Sequence, residues 1–361
     1  MSATSGTAIG STTLDLDAIR TRVDAELDSF VREKAGSGAA ARLPEEVIVT
    51  LHGFLFAGGK RIRPLLCVLG WLAGGGDPAV PEPVVRAAAS VELFHASVLI
   101  HDDIIDDSDT RRDRPTVHRT LTDRHRDRRD PDRFGTHAAI VLGDLAMVWA
   151  AELLHTARLT ASQLGAALTV LDSMRADVMY GQYLDLLATA CPSSDLDRAL
   201  EIVRYKTVSY TCDRPLQLGA ALAGASPAVR VALTAYARPL GEAFQLRDDL
   251  LGVYGDPARS GKSNLEDLRD GKHTALVALA LEHATTADAA RLRELLGNPD
   301  LDERQADSCR AILTAAARPR VEEMITTRWE QAKHALIDAP FPVEVAGALS
   351  WLADAAVLRT S

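Results

Sequence analysis

The first residues that could do chemistry form an acidic run, His101-Asp102-Asp103-Ile104-Ile105-Asp106-Asp107, directly after an apolar stretch. On a helix, Asp102 and Asp106 are spaced i, i+4, and Asp103 and Asp106 are spaced i, i+3, so one face presents several carboxylates together. Carboxylates this close repel and raise one another's pKa unless a cation neutralises them. Hard oxygen ligands on a rigid helix suit magnesium, which is usually shared with substrate phosphates. Taken alone, the run is equally consistent with a solvated acidic helix end.

A second acidic pair ends another apolar helical stretch, in Phe244-Gln245-Leu246-Arg247-Asp248-Asp249. Its presence favours a functional interpretation of both clusters. Two acidic helix ends that face each other across a bundle could hold several magnesium ions around one diphosphate. Such a site would ionise a diphosphate ester, because the metals stabilise the leaving group.

The cations that a diphosphate requires also occur in short motifs. The segment Gly58-Gly59-Lys60-Arg61-Ile62-Arg63-Pro64 combines a glycine bend, which lets a ligand approach the backbone, with Lys60 and Arg63 on one helical turn. The other candidate cations are Arg111, Arg112, Lys206, Lys262 and Lys272. Each alone is typical of a solvated surface residue, and only their occurrence together with the aspartates indicates an anion site.

The composition limits what these motifs can belong to. Acidic residues outnumber basic ones by 50 to 40 among 361 residues, a net charge of −10, which argues against a general binder of nucleic acid. With 47% hydrophobic and 25% charged residues, the chain can bury a large core. Four cysteines stand far apart without a CxxC pair, which predicts no zinc site or disulfide framework and favours a reducing cytoplasm.

The N-terminus and the apolar stretches carry no predicted targeting segment. The opening MSATSGTAIGSTTLDLDA has no basic start and no apolar centre, so no signal peptide is predicted. The longest apolar stretches, such as 275–281, fall short of the roughly 20 residues needed to cross a bilayer. We therefore expect a cytoplasmic protein without a transmembrane segment.

The elements that position these motifs are predicted to be helices. From about Leu14, alanine and leucine dominate, and alternation of the strand kind is nearly absent. Long helices are predicted over 84–107, 138–159, 162–189, 196–223 and 227–254. Residues 1–13 are expected to form a flexible tail and 14–361 a single all-α domain, a large bundle of ten or more helices. The mixed-charge stretch 124–133 is expected to be a solvated loop, with a nucleic-acid patch as the weaker alternative.

Together the motifs resemble those of the trans-isoprenyl (polyprenyl) diphosphate synthases. The matching segments, in the family's order and spacing, are GGKRIRP, VELFHASVLIHDDIIDDSDTRR, GQYLDL, YKT and FQLRDDLLGVYGD followed by GK and DLRDGK. The resemblance runs from about Leu51 to Leu281, and within the family the chain is most like the geranylgeranyl diphosphate synthases. It implies the helical bundle of the isoprenoid synthases.

The resemblance implies a role for each matching residue. The metal ligands, holding three magnesium ions with substrate bound, are Asp102, Asp103, Asp106, Asp248 and Asp249. The expected contacts of isopentenyl diphosphate are Lys60, Arg63, His95 and Arg112. The expected contacts of the allylic diphosphate are Arg111, Lys206, Gln245 and Lys262. Lys272 is a further expected substrate-binding residue. Thr207 and Gln245 would place oxygen dipoles near the developing carbocation, and Gln182 and Asp185 would lie near the metals.

Three positions carry an alternative interpretation or a departure. A lone histidine such as His95, among apolar neighbours, is usually a core residue whose hydrogen bonds are satisfied, but its position six residues before His101 matches the family pattern. Gly252 stands where the second motif usually ends in aspartate, and this removes one possible ligand while leaving Asp248. Asp113 stands where glycine is usual, in a predicted turn.

The reaction implied by the resemblance is head-to-tail condensation of isopentenyl diphosphate with an allylic diphosphate, catalysed by a homodimer. A class I terpene cyclase would ionise the same ester but would need no second diphosphate, which Lys60, Arg63 and His95 argue against. A non-catalytic subunit of a heteromeric synthase would be expected to lose aspartates of the first cluster. A simple isoprenoid-binding protein would not require two metal clusters.

The expected product is geranylgeranyl diphosphate, because of the residues that precede Asp102 on its helix. Ser97 and Val98, five and four positions before Asp102, are too small to stop a growing tail. Phe94 lies one turn deeper, about 5 Å further along the axis, and is the first large obstacle. The alternative is that Phe94 only packs between helices.

Overall fold

The computed structural model describes residues 14–255 and 264–357, and these are helical almost throughout. The all-α class is therefore confirmed. The predicted tail, residues 1–13, lies outside the described residues. The elements of the first half are α1 (Leu16–Ala40), α2 (Glu45–Leu55), α3 (Ile62–Ala73), α4 (Glu82–Ile105), β1 (Thr110–Arg111), β2 (Arg114–Pro115), α5 (Val117–Arg124), α6 (Pro131–His155) and α7 (Ala161–Ala188).

The second half continues the bundle and then adds shorter helices. Its elements are α8 (Leu196–Val203), a π-helix (Arg204–Asp213), α9 (Arg214–Leu222), α10 (Pro227–Tyr254), α11 (Glu266–Asp270), α12 (Ala275–His283), α13 (Thr286–Leu295), α14 (Glu303–Ala316), α15 (Arg318–His334) and α16 (Val343–Val357). The long helices predicted over 84–107, 138–159, 162–189 and 227–254 are present as α4, α6, α7 and α10, with ends that shift by a few residues except at α6. That helix begins at Pro131 because the Asp130 side chain accepts a hydrogen bond from the Arg133 amide and caps it.

One prediction was wrong in its local geometry. The stretch expected as one regular helix over 196–223 is α8 and α9 joined by ten residues of π-helix. A π-helix uses i→i+5 hydrogen bonds and is rare outside functional sites. The antiparallel β1–β2 hairpin was not predicted either. Of the mixed-charge stretch 124–133, residues 125–130 lie between α5 and α6, as expected for a loop, whereas 131–133 form the first turn of α6.

Two groups of buried apolar residues hold these elements together. The larger group draws on α1 to α7, α9 and the first half of α10, with α15 and α16 packed against it. The smaller group comprises the second half of α10 and α11 to α15. The helix α10 runs through both groups and carries Asp248 and Asp249 in the part that belongs to the smaller group. That residues 14–361 form one domain stays a prediction.

Two helices, α4 and α6, are long and apolar enough to cross a membrane by length and composition, although no such helix was expected. In α4, 72% of the apolar window is buried inside the fold, which is typical of the core helix of a soluble protein. In α6 only 44% of the window is buried, so much of its apolar surface faces outward.

Candidate active site

The first aspartate cluster lies at the C-terminal end of α4 and is held by Arg111. The Arg111 guanidinium donates to Asp103 Oδ1 from Nε at 2.7 Å, and its Nη2 lies 2.6 Å from the same oxygen and 3.6 Å from Asp102 Oδ2. The β1–β2 hairpin brings Arg111 there, with Arg112 and Asp113 in its turn at φ 54° and 59°. Aspartate tolerates this left-handed conformation better than most residues, so Asp113 can serve where glycine is usual.

Lys206, in the π-helix, links α4 to α7. Its Nζ lies 2.6 Å from Asp185 Oδ2 and 3.4 Å from Asp102 Oδ1. Burial alone would lower the pKa of Lys206, but the two carboxylates raise it above its ordinary value. Burial would likewise raise the pKa of Asp102, yet Lys206, Arg111 and Lys272 hold it below its ordinary value. The charged form of each group is therefore the stable one at neutral pH.

Lys272 brings the chain after α10 onto the first aspartate cluster. Its Nζ lies 3.4 Å from Asp106 Oδ2, 3.1 Å from Asp267 Oδ1 and 3.9 Å from Asp270 Oδ2. Burial opposes the charged form, but these carboxylates raise the pKa of Lys272 well above its ordinary value. The first cluster and the segment that follows the second are thus joined by one ammonium group.

The second aspartate pair on α10 is divided between solvent and core. Asp248 is exposed, whereas Asp249 is 8% exposed and accepts a hydrogen bond from Gln245 Nε2 at 2.8 Å. Thr207 donates its hydroxyl to Gln245 Oε1 at 2.7 Å, so one chain of hydrogen bonds connects the π-helix to Asp249. Burial raises the pKa of Asp249 to about 8, opposed by the Gln245 hydrogen bond and reinforced by the negative charges of Asp248 and Asp267.

Asp267 is a site residue that the sequence did not reveal as such. A Cβ placed on Gly252 would lie 1.9 Å from Asp267 Oδ2, so this carboxylate occupies the space beside the glycine that replaces the usual final aspartate of the motif. Asp267 thus supplies a carboxylate at the place where the usual motif has its final aspartate. The one hint of this in the sequence is that the stretch before Lys272 is rich in acidic residues.

The Gly58–Gly59 bend and Arg112 form one wall of a second, basic region. Both glycines have positive φ, 102° and 131°, which favours glycine. Arg112 donates from Nη1 to the Gly58 carbonyl, and a Cβ on Gly59 would lie 3.1 Å from its guanidinium. Lys60 follows, exposed, at a cavity of about 90 Å³ that it lines with Thr211 and Phe244.

Arg63, His95 and Tyr210 form the opposite wall of the basic region. Arg63 donates from Nη2 to Thr211 Oγ1 at 2.6 Å and lies over the Tyr210 ring at 4.2 Å. The Tyr210 hydroxyl pairs with His95 Nδ1. Burial and the positive charges of four arginines, Arg63, Arg112, Arg111 and Arg61, lower the pKa of His95 well below its ordinary value. His95 is thus neutral, and Tyr210 is a site residue that the sequence did not indicate.

The remaining predicted residues lie as follows. Gln182 is half-buried on α7, three residues before Asp185. Lys262 lies outside the described residues. Phe94 is 2% exposed and meets Tyr210 edge-on, with ring centroids 6.4 Å apart. Ser97 is fully buried, whereas Val98 is half-buried. Of the two residues expected beside the tail, only Val98 therefore has exposed surface that a tail could contact.

The donor set fits divalent magnesium. Asp102 Oδ1 is buried, and its partner among the described residues is the Lys206 ammonium at 3.4 Å, beyond the usual hydrogen-bond distance, so this oxygen remains a candidate ligand for an ion. Within the same residues, no group of three acidic, histidine or cysteine side chains already forms a metal site. Magnesium suits this arrangement, because it is usually bound by one or two carboxylates together with substrate phosphates.

An all-α bundle that gathers paired aspartates and a ring of cations has the site of an enzyme that acts on diphosphate esters. The polyprenyl synthetase family profile matches residues 45–313. The structure is similar to geranylgeranyl pyrophosphate synthase from Corynebacterium glutamicum, solved with isoprenyl diphosphate and magnesium, at a TM-score of 0.91 and 39% identity, over 96% of this chain and 100% of that one. The chain belongs to the polyprenyl synthetase family and is a prenyltransferase.

Relatives in the family differ in product. The short chain isoprenyl diphosphate synthase of Methanocaldococcus jannaschii is 34% identical over 74% of this chain and 75% of that protein. The (2E,6E)-farnesyl diphosphate synthase of Mycobacterium tuberculosis is 35% identical over 63% of this chain and 58% of that protein. The family uses isopentenyl and allylic diphosphates. Two of the similar solved structures, the Corynebacterium glutamicum synthase and a polyprenyl synthase from Caulobacter crescentus, were solved with isoprenyl diphosphate together with magnesium and calcium, respectively.

Proposed function

We propose that this protein condenses isopentenyl diphosphate head-to-tail with an allylic diphosphate, with magnesium, to give geranylgeranyl diphosphate. The observation that carries the proposal is the convergence of the two aspartate regions. Lys272 Nζ lies 3.4 Å from Asp106 of the first cluster and 3.1 Å from Asp267, and the charges of Asp267 and Lys272 in turn shift the pKa of Asp249 in the second pair. Lys206 and Arg111 lie beside Asp102 and Asp103 of the first cluster.

The residues around this space have the charges that ionisation of an allylic ester needs. Asp102, Asp103, Asp106, Asp248 and Asp249 would hold magnesium, three ions with substrate bound, and the metal would neutralise the leaving diphosphate as a Lewis acid. Lys206, Arg111 and Lys272, with Lys262, would share the charge of that diphosphate as the carbon–oxygen bond breaks. The Thr207–Gln245 pair would turn its oxygens toward the allylic cation.

The basic region fits the acceptor. Lys60, Arg63 and Arg112 would bind the diphosphate of isopentenyl diphosphate, and neutral His95 would donate a hydrogen bond to it. The acceptor's double bond then forms the new carbon–carbon bond with the allylic cation. The departing diphosphate takes the proton that the product loses, since no side chain of the described residues is assigned to do so. Apolar walls keep water from the cation.

A tail of twenty carbons is the product length we propose. Its path would run from the metals along α4 past Val98, with Phe94 as the obstacle one turn deeper. The nearly complete burial of Phe94 and its edge-on contact with Tyr210 support a fixed ring at this level. Phe94→Ala should lengthen the product, and Ser97→Phe should shorten it to fifteen carbons or fewer. Unchanged products in both variants would show that this part of α4 does not set the length.

We further propose a cytoplasmic homodimer. The outward apolar residues of α6 and α7 support it, among them Val141, Val148, Tyr180, Tyr183 and Leu187, each more than half exposed. On each helix these residues recur at i, i+3 or i+7 and so share one face, and exposed apolar faces of this kind are typical of an interface. The four free cysteines, three of them buried, suit a reducing compartment. Light scattering should give twice the chain mass, and Tyr183→Glu should reduce it toward one chain, while Val231→Glu, on exposed α10 surface, should not.

Sizing the products tests the function directly. The purified protein, magnesium and isopentenyl diphosphate would be incubated with dimethylallyl, geranyl or farnesyl diphosphate, and the hydrolysed prenols separated by chromatography. We expect geranylgeraniol from each, and no product with EDTA. Cyclised hydrocarbons without consumption of isopentenyl diphosphate would identify a terpene cyclase. Absence of any turnover until a partner is added would identify a subunit of a heteromeric enzyme.

A further inference from the structure

The helices α4 and α7 run parallel along the proposed tail path. At one end, Lys206 connects Asp102 of α4 to Asp185 of α7. At the other, the Arg175 guanidinium of α7 lies over the Phe94 ring of α4, 5.9 Å from its centroid. Phe94 precedes Asp102 by eight residues and Arg175 precedes Asp185 by ten, which correspond to about 12 Å and about 15 Å along the axes.

Arg175 is unusual for a charged residue at this depth. Its side chain is 27% exposed, and its Nε–H is buried and donates to no acceptor among the described residues. Asp172, itself 72% exposed, is 3.6 Å from Nη1. Burial lowers the pKa of Arg175, and Asp172 only partly opposes this. The positive charge of the guanidinium is therefore only partly neutralised by Asp172, and the exposed part of the side chain still contacts water.

We infer that Arg175 is a specificity-determining residue, whose guanidinium closes the far end of the tail path behind Phe94. The inference rests on the proposed function, since it concerns the same tail. A hydrocarbon that passed the Phe94 ring would next meet the guanidinium and remove its water without offering a hydrogen-bond acceptor. A longer product is therefore disfavoured by charge, in addition to the volume of the ring.

The charge and the ring make separable contributions. Phe94→Ala removes volume but leaves the guanidinium, so the tail gains space that still ends at a charge. Removal of the Arg175 charge alone leaves the Phe94 ring in place. The ring then loses its cation–π contact and can rotate more easily away from the tail. Each single change should lengthen the product, and the double change should lengthen it further than either.

The experiment compares Arg175→Leu, Arg175→Lys and Asp172→Ala by prenol chromatography. We expect Arg175→Leu to lengthen the principal product by at least one five-carbon unit, with total incorporation of isopentenyl diphosphate within about threefold of the parent protein. Arg175→Lys keeps a charge and should keep the parent product. Asp172→Ala removes the exposed counter-ion but not the guanidinium, and should also keep it. The double variant Phe94→Ala/Arg175→Leu should give the longest products.

Several outcomes would overturn the inference. An unchanged product distribution for Arg175→Leu, whether or not its melting temperature falls, would reduce Arg175 to a packing role. Equal lengthening in Arg175→Lys would show that shape and not charge is decisive. Failure of the proposed function looks different, because the parent protein would then release no elongated prenol. If the parent product were farnesyl diphosphate, lengthening by Arg175→Leu would still support the inference and only the assigned length would be wrong.

Discussion

The donor half of the site, formed by the aspartates with Arg111, Lys206 and Lys272, differs in charge balance from the acceptor half, formed by Lys60, Arg63, His95 and Arg112. In the donor half, carboxylates raise the pKa of each cation above its ordinary value although burial opposes this. In the acceptor half, burial lowers the pKa of Arg112, and Arg61, Arg111 and Arg63 lower it further. His95 shows the same electropositive surroundings.

This difference explains why one substrate would need metal and the other would not. The donor half holds more carboxylates than cations, so a diphosphate entering it must bring further positive charge, which magnesium supplies. The acceptor half holds an excess of positive charge, and an entering diphosphate relieves that excess. The two diphosphates are thereby kept apart by electrostatics as well as by distance.

The largest expected effect comes from removing carboxylates of the donor half. Asp102→Ala and Asp248→Ala should each lower kcat by at least 10²- to 10³-fold, the order of loss seen when one preorganised electrostatic group is removed. Steady-state assays with saturating magnesium measure this, and melting temperatures check that the fold persists. Asp338→Ala, at an exposed position after α15, serves as the control and should behave like the parent protein. Near-parental turnover in either site variant would contradict the metal assignment.

Truncating the acceptor half should change binding of one substrate only. Lys60→Ala should raise KM for isopentenyl diphosphate by roughly 10- to 100-fold, the equivalent of about 1.4 to 2.8 kcal/mol of lost binding, while KM for the allylic substrate changes little. Lys60→Arg keeps the charge and should recover much of the loss. Equal effects on both substrates would show that the two halves are assigned wrongly.

Restoring the usual motif should impair the donor half instead of improving it. In Gly252→Asp the new side chain would begin 1.9 Å from Asp267 Oδ2, and its charge would add to that around Asp249. We expect a stability loss of about 1–3 kcal/mol and lower kcat, measured by urea unfolding and steady-state assay. The double variant Gly252→Asp/Asp267→Ala should recover both, since one carboxylate then replaces the other. If Gly252→Asp were fully active and stable, Asp267 would not occupy the place of the usual final aspartate of the motif.

The smallest expected effect is a pH dependence from the acceptor half. Because the pKa of His95 is lowered in the folded protein, the unfolded chain binds the extra proton first as pH falls through about 6.5. This contribution to stability is therefore complete above that pH and is lost progressively below it. Urea unfolding at pH 7.0 and 5.5 should show a smaller loss for His95→Gln than for the parent protein. If the free energy of unfolding fell equally in both proteins, the acid sensitivity would arise from groups other than His95.

Charged and helical features could largely be predicted from the sequence. The aspartate pairs end apolar helical stretches, and Lys206 and Lys272 occur in short motifs in the same order along the chain, so their types and spacing were sufficient to expect them around one space. Asp267 could not be assigned in this way, because its position beside Gly252 depends on the fold of the segment after α10. Tyr210 was missed because a regular helix would not align it with both Arg63 and His95.

The residues along the proposed tail path also could not all be predicted from the sequence. Counting back from Asp102 placed Ser97 and Val98 on the wall, but counting does not reveal which neighbours cover each side chain. Ser97 is fully buried, whereas Val98 is half-buried, and the difference arises from the helices that pack on α4. Arg175 lay outside every motif, and only the parallel course of α7 brings it to Phe94.

The π-helix has a consequence for how this protein can vary between species. Lys206 and Thr207 near its start serve the donor half, and Tyr210 and Thr211 near its end serve the acceptor half. Loss of a single codon there would remove a residue that the wider i→i+5 turns accommodate, and the segment could then close with ordinary α-helical bonds. The spacing between its first and last contacts would change, so we expect this segment to tolerate an exchange of amino acids better than a change of length.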